Sequence, residues 1–185
     1  MRVVSGKARG LKLKTIESDS TRPTKDMVKE ALFSMLLDYI DEAVVLDLFS
    51  GSGAIGIEAL SRGASLCYFC DTNKECIKVI KENIEKAKFT ELSKVYNCDY
   101  LDMLNEVRNV SFDIIYVDPP YNKGLGQKAV ETISSYNLLK KNGVLVFESD
   151  TFEDAPDVIG NYTKFKSKKY GRNILSFYEL KGDHA

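Results

Sequence analysis

Residues 44–63 read VVLDLFSGSGAIGIEALSRG: an apolar run, a break into serine and glycine, then a helical pattern. Val44 to Phe49 has the near-continuous apolar character of a strand covered on both faces, interrupted by one acid, Asp47. Gly51, Gly53 and Gly56 let the backbone turn tightly and come close to a ligand, and the following helix offers unpaired N–H groups at its start. Arg62 in the last turn and Gly63 just beyond it close that helix. A strand that passes through such a turn into a helix is the first half of a βαβ unit.

The same alternation continues outward. Short apolar strands are expected near 44–49, 66–70, 94–98, 113–117 and 143–148, with helices near 53–62, 73–88, 100–108 and 124–140. Strands and helices in strict alternation predict an α/β fold with a Rossmann-like, doubly wound, mainly parallel sheet. The last 25 residues, TKFKSKKY and NILSFYEL around Gly171-Arg172-Asn173, predict a closing antiparallel hairpin. Upstream, Val3-Val4 and Leu11-Lys12-Leu13 around Gly6 and Gly10 predict a short N-terminal β-hairpin. A helix follows, with Thr24 as N-cap and Val28, Ala31, Leu32, Met35, Leu36 and Tyr39 on one face. The chain reads as a single domain over 1–185, with a basic arm at 1–23 and a catalytic core at 24–185.

With 185 residues, 44% of them hydrophobic and 29% charged, the composition excludes a disordered or fibrous chain. No stretch approaches the roughly 20 apolar residues that span a bilayer, and the start has neither an apolar run nor a cleavage site, so a cytoplasmic location and no membrane partner are expected. Cys67 and Cys70 form a CxxC, but inside a strand residues three apart point to opposite faces and do not converge on one metal. The only histidine, His184, stands next to the C-terminus, which argues against histidine chemistry.

The net charge of −1 hides an asymmetry: residues 1–30 and 158–185 carry a surplus of Lys and Arg, while the middle carries a surplus of acids. Arg2, Lys7, Arg9, Lys12 and Lys14 have no acid among them. Lys164, Lys166, Lys168, Lys169 and Arg172 alternate with Tyr162, Phe165 and Tyr170, a mixture suited to phosphate contacts and stacking. Two basic ends predict a polyanionic partner, with Arg2, Lys7, Arg9, Lys12, Lys14 and Arg22 as its candidate binding residues.

The glycine turn satisfies GxGxxG, and Asp71 follows at the end of the next strand, where a carboxylate accepts from ribose hydroxyls. That pattern alone suits a dinucleotide equally well. Asp47 discriminates, unless its carboxylate only caps the loop by accepting from backbone N–H groups. An acid beside the turn is unhelpful to a pyrophosphate but favours S-adenosyl-L-methionine, whose ammonium and sulfonium are both positive. Asp47, Phe49, Gly51, Ser52, Gly53, Gly56, Asp71 and Asp99 are therefore the candidate cofactor-binding residues. Asp99 is placed either to accept from the adenine amino group or to cap the next helix. Glu58 reads as a helix-surface or packing residue, and Glu148 as lining the pocket or facing solvent.

The fourth strand ends in Asp118-Pro119-Pro120-Tyr121. Two prolines hold the backbone extended and remove two N–H donors, so the turn presents only acceptors, at the end of the sheet where such folds bind ligands. Asp118 and the Pro119 carbonyl can each accept one hydrogen of an exocyclic amino group while Tyr121 stacks on the base. Held in this way, the nitrogen lone pair is aimed at a methyl carbon. Catalysis is then mainly positioning, with no covalent intermediate expected and Asp118, Pro119, Pro120 and Tyr121 as candidate catalytic residues.

The run from Asp47 to Gly63, the Asp118–Tyr121 motif, Arg22-Pro23-Thr24 with Asp26, Lys29 and Glu30, and the opening SGKARGLKL together resemble the RsmD-type family over nearly the whole chain. These are bacterial methyltransferases acting on guanine N2 of 16S, small-subunit, ribosomal RNA. The resemblance implies a class I methyltransferase fold and S-adenosyl-L-methionine as donor, with S-adenosylhomocysteine as product. It further implies an rRNA substrate inside an assembling 30S particle; separately, a monomer is expected. Asp at 118 agrees with that family, whereas Asn is usual in DNA adenine and protein glutamine methyltransferases. The alternatives are transfer to DNA adenine N6 or a protein amide, a dinucleotide oxidoreductase, and a non-catalytic ribosome-assembly module.

Overall fold

The computed structural model describes residues 1–16, 23–121, 124–153 and 155–182, with the backbone alone at 23–25. Eight strands form one sheet: β1 Val44–Asp47, β2 Leu66–Asp71, β3 Ser93–Asn97, β4 Phe112–Val117, β5 Leu139–Asp150, β6 Val158–Ile159, β7 Tyr162–Tyr170 and β8 Asn173–Leu180. Their spatial order is β3-β2-β1-β4-β5-β8-β7-β6. The first five are parallel, and β8, β7 and β6 add antiparallel to β5. Strand order reverses between β1 and β4, the place where a doubly wound sheet opens a ligand crevice.

Five helices cover the sheet: α1 Pro23–Met35, α2 Ala54–Ser61, α3 Lys74–Ala87, α4 Tyr100–Glu106 and α5 Leu125–Ser135. Leu32, Ile57 and Ile80 from α1, α2 and α3 share one core layer with Val45, Phe69 and Val146. Met103 and Val130 from α4 and α5 share the other with Leu46, Ile115 and Leu145. The period-2 alternation of the strands divides them between these layers. It separates Cys67, in the first layer, from Cys70, in the second. Among the described residues, no helix is long and apolar enough to cross a membrane.

Three boundaries differ from the sequence reading. The helix expected at 124–140 stops at Ser135, because Asn137 takes a left-handed conformation (φ 53°) and Leu139 already pairs with Phe112 as the start of β5. The polar run Lys140-Lys141-Asn142, with Asn142 at φ 61°, disguised the beginning of that strand. The helix expected to reach Tyr39 ends at Met35 and continues as a 3₁₀ turn over Leu37–Tyr39. The N-terminal hairpin is reduced to a turn closed by a single antiparallel bridge, Arg2 to Lys12, although Val3 N–H donates to the Leu11 carbonyl and Gly10 N–H to the Val3 carbonyl. Arg22, His184 and the Thr24 side chain lie outside the described residues.

The arm is fastened to the core. Val3 and Leu13 enter the α1–α3 core layer. Glu58 of α2, fully buried, accepts from Val4 N–H (2.9 Å) and Ser5 N–H (3.0 Å), and its oxygens lie 3.2 Å from Lys29 Nζ and 2.8 Å from Arg62 Nε. Lys29, also buried, donates to the Arg2 carbonyl. Ser61 and Asn83 add backbone contacts to Lys7, Ala8 and Lys14. Glu58 is therefore neither a surface residue nor simple packing. A missing carboxylate would leave two cations and two N–H groups stranded, and breaking a buried pair in this way costs about 3–5 kcal/mol. Glu58→Ala is expected to lose that much in urea unfolding and to open residues 1–16 to proteases, while Glu82→Ala, at the exposed Lys14 pair, changes stability by less than about 1 kcal/mol.

Candidate active site

At the head of β1 the chain turns through Leu48 to Gly53 into α2. Leu48 N–H donates to the Tyr116 carbonyl (3.1 Å), so β1 stays zipped to β4 to the edge of the turn. Gly51 and Gly53 lie at φ 54° and 78°, conformations that a Cβ would strain. Gly56 has a different use. A Cβ there would stand 2.3 Å from Phe69 and 2.6 Å from Cys67 Sγ, so its smallness lets α2 rest on β2.

Several side chains hold the turn from beneath. Ser50 donates to the Asp47 carbonyl (2.7 Å) and accepts from Cys70 N–H (3.0 Å), stitching the ends of β1 and β2. Asp71 accepts from Gly51 N–H and Asn73 N–H, both at 2.9 Å, and remains partly exposed. Asn83 of α3 donates to the Ser52 carbonyl (3.0 Å) and to the Lys14 carbonyl, linking the turn to the basic arm. The sequence reading missed Asn83; an asparagine in the middle of an amphipathic helix is its only signal there.

Asp47 is 1% exposed and accepts from Gly56 N–H at 3.2 Å. No ion pair among the described residues includes it. Burial pushes its carboxyl up to about 7, the Gly56 hydrogen bond pulls the other way, and the nearby Asp71 charge pushes it up further. Through the Gly56 bond Asp47 caps the start of α2 from beneath the turn. Around the same opening, the Phe49 and Tyr100 rings lie 5.8 Å apart, and Asp99 caps α4 by accepting from Asp102 N–H (2.9 Å). Of the two readings of Asp99, the structure shows the cap. Tyr100 is a second residue that sequence reasoning overlooked.

Next to this, Asp118-Pro119-Pro120-Tyr121 leaves the head of β4, with Pro119 buried and Tyr121 37% exposed. Beneath it, the Tyr116 hydroxyl donates to Glu148 Oε2, and Asn173 Nδ2 donates to Glu148 Oε1 (2.7 Å). Glu148 is thus buried structure at the floor of the crevice. Burial and then the Glu148 charge hold the Tyr116 phenol far above its ordinary range, so it stays a donor.

The basic candidates lie outside the crevice. Arg2, Lys7, Arg9 and Lys12 are exposed on the arm, but Lys14 is paired with Glu82. On β7, Lys166, Lys168 and Lys169 are exposed, whereas Lys164 is paired with Asp157 (2.9 Å). Tyr162 is buried in the core and cannot stack on a base; Phe165, at a bulge, and Tyr170 keep some exposure.

Residues 1–179 match the family model described as Conserved hypothetical protein 95. The chain belongs to this RsmD-type family. Its relatives include the Haemophilus influenzae "Ribosomal RNA small subunit methyltransferase D", 36% identical over 96% of this chain and 91% of that one. The Escherichia coli K12 protein of the same name is 30% identical, over 97% and 89%. The solved structure of Escherichia coli yhhF superposes with a TM-score of 0.86 at 29% identity, covering 97% of both chains. Family and fold make the chain a methyltransferase.

The Asp47 carboxyl predicts a pH effect whose sign is set by burial. In the ligand-free protein the raised carboxyl binds its proton more tightly than the unfolded chain does, so its contribution to stability is complete below about pH 4 and fades as pH rises through 7. Urea midpoints measured from pH 4 to 8 are expected to fall less steeply in Asp47→Asn than in the wild type.

Proposed function

We propose that the protein transfers a methyl group from S-adenosyl-L-methionine to the exocyclic N2 amino group of a guanine in 16S ribosomal RNA. The observation that carries this reading is the adjacency of two unlike features at the β1/β4 switch point: a buried acid under a glycine turn, and an acceptor-only turn one strand away. The first asks for a cationic ligand and the second for an amino group. The small-subunit RNA substrate is carried over from the relatives' names. Guanine N2 rests on the family resemblance and on Asp rather than Asn at position 118.

The residues present fit the donor. Asp47 carries a buried carboxyl with no ion-pair partner among the described residues, Gly51 and Gly53 take the left-handed turn next to it, and Gly51 and Asp71 are partly exposed there. When bound, S-adenosyl-L-methionine supplies a methyl carbon made electrophilic by its sulfonium. On this reading Asp47 and the turn at Ser52 and Gly53 hold the amino-acid end, Asp71 accepts from the ribose hydroxyls, and Phe49 and Tyr100 flank the adenine with Asp99 at its edge. Asp118 and the Pro119 carbonyl each accept one hydrogen of the guanine amine, and Tyr121 stacks on the base. Two fixed acceptors bend the nitrogen out of conjugation and direct its lone pair, so the chain contributes geometry more than acid–base chemistry. The exposed cations of the arm contact phosphate.

Purified protein, labelled S-adenosyl-L-methionine and unmodified small subunits, followed by RNA digestion, test the reading. The expected labelled nucleoside is N2-methylguanosine. Label in adenine, in protein or nowhere overturns the assignment in favour of another acceptor or of an assembly module. Asp118→Ala is expected to lower turnover at least a hundredfold with donor affinity unchanged in calorimetry. Replacing Lys7, Arg9 and Lys12 with Ala should weaken RNA binding and reduce the slope of log affinity against log salt by up to about 3.

A further inference from the structure

A cavity of about 360 Å³ opens at the head of the antiparallel strands, lined by Thr151, Phe152, Glu153, Ser167, Ile174 and Ser176 among others. Neither Asp118 nor Tyr121 lines it, so it is distinct from the reaction centre. The two are neighbours nonetheless: the Tyr121 phenol is raised by burial and by the charges of Asp118, Glu148, Asp150 and Glu153.

The cavity is built rather than incidental. Strand register puts three of its lining residues, Ile174, Ser176 and Ser167, on one face of β8 and β7. Ser176 is fully buried, and its hydroxyl has no hydrogen-bond partner; neither has Glu153 Oε2, which is shielded from solvent. Unpaired buried polar atoms cost about 1–3 kcal/mol each, a cost that a ligand at this site relieves. The segment above is pinned at both ends. Asp150 accepts from Phe152 N–H (3.1 Å) and pairs with Arg172 (3.1 Å), while Lys164 donates to the Ala155 carbonyl (2.6 Å) and Tyr178 to the Pro156 carbonyl (2.8 Å).

The lining selects the ligand class. Glu153 is an acceptor that repels phosphate and suits the N–H edge of a nucleobase; the serine hydroxyls can serve either role. At the rim, Phe152 is 79% exposed with the Arg172 guanidinium 5.4 Å over its ring, and Lys169 follows Ser167 on the same face. Lys164 also lines the cavity, but its ammonium is engaged by Asp157 and the Ala155 carbonyl. An aromatic plane, the Arg172 guanidinium held by Asp150 and the exposed Lys169, beside a hole that offers Glu153 and the serines, suit a splayed-out base with its phosphates outside. We propose that this cavity is a second nucleobase subsite, which takes the base flanking the target guanine and reads its amino edge through Glu153. The inference rests on the RNA reading given above.

A photocrosslinking residue tests it: Ser167→p-benzoylphenylalanine, at an exposed position of the wall, irradiated with unmodified small subunits. The crosslink is expected on a nucleotide adjacent to the guanine that the wild type labels. In parallel, Glu153→Gln is expected to raise KM for small subunits about tenfold while kcat and donor affinity stay within twofold. A crosslink remote from the labelled guanine, or an unchanged KM with the wild type active, overturns the subsite and leaves the methyltransferase reading intact. Absence of label from the wild type itself overturns both.

Discussion

Glu58 is a carboxylate with no access to water, surrounded by two cations and two backbone N–H groups that come from three separate parts of the chain. Transfer of such a group out of water is unfavourable unless its partners are all in place, so the arm, α1 and α2 are held in one arrangement or lose it together. Apolar burial of Val3 and Leu13 would hold the arm equally well, but it would tolerate sliding. Directed hydrogen bonds to Val4 and Ser5 do not. The basic arm is thereby presented at a set place relative to α2, the helix that leaves the glycine turn.

The turn itself is held by the same economy of means. Its hydrogen bonds go to Asp71, Ser50 and Asn83, side chains from β2, the turn and α3. On the far side of the switch point, Glu148 is occupied by Tyr116 and Asn173, so the floor under the Asp118 turn is rigid. The crevice is rich in carboxylates, while exposed cations stand outside it on the arm and on β7. Under the proposed function that separation has a physical logic. A cationic donor is drawn to the acidic interior, and the phosphates are kept to the periphery, where salt-dependent attraction orients the RNA without competing for the donor's seat.

Much of this was legible in the linear chain. The parallel strands and their helices follow from periods that burial enforces, and each was located to within a residue or two except where polarity hid a strand. Leu139 to Asn142 is the instructive case: a polar stretch in a left-handed bend looks like the tail of a helix until Phe112 is seen to pair with Leu139. The catalytic candidates were also legible, because glycine, proline and a misplaced acid restrict the backbone in ways that few other residues do. Asn83, Tyr100 and the Glu58 cluster were not, since each acts through partners 30 to 70 residues away, and nothing local marks those distances.

The sequence by itself determined the fold class, the turn between β1 and α2, and the acceptor-only turn after β4. These depend on local dihedral preference and on short-range hydrophobic periodicity. Only the tertiary structure decided which charges are free to act. Lys14 and Lys164 look the same as Lys12 and Lys166 along the chain, yet the first two are paired with acids, Glu82 and Asp157, and the other two face water with no ion pair among the described residues. It also decided that Asp71 holds the glycine turn, that Gly56 serves packing, and that Ser167 and Ser176, on different strands, share a cavity. The reason is the same throughout: burial and pairing belong to positions in space, and a one-dimensional pattern specifies them only where the partner lies within a turn or two.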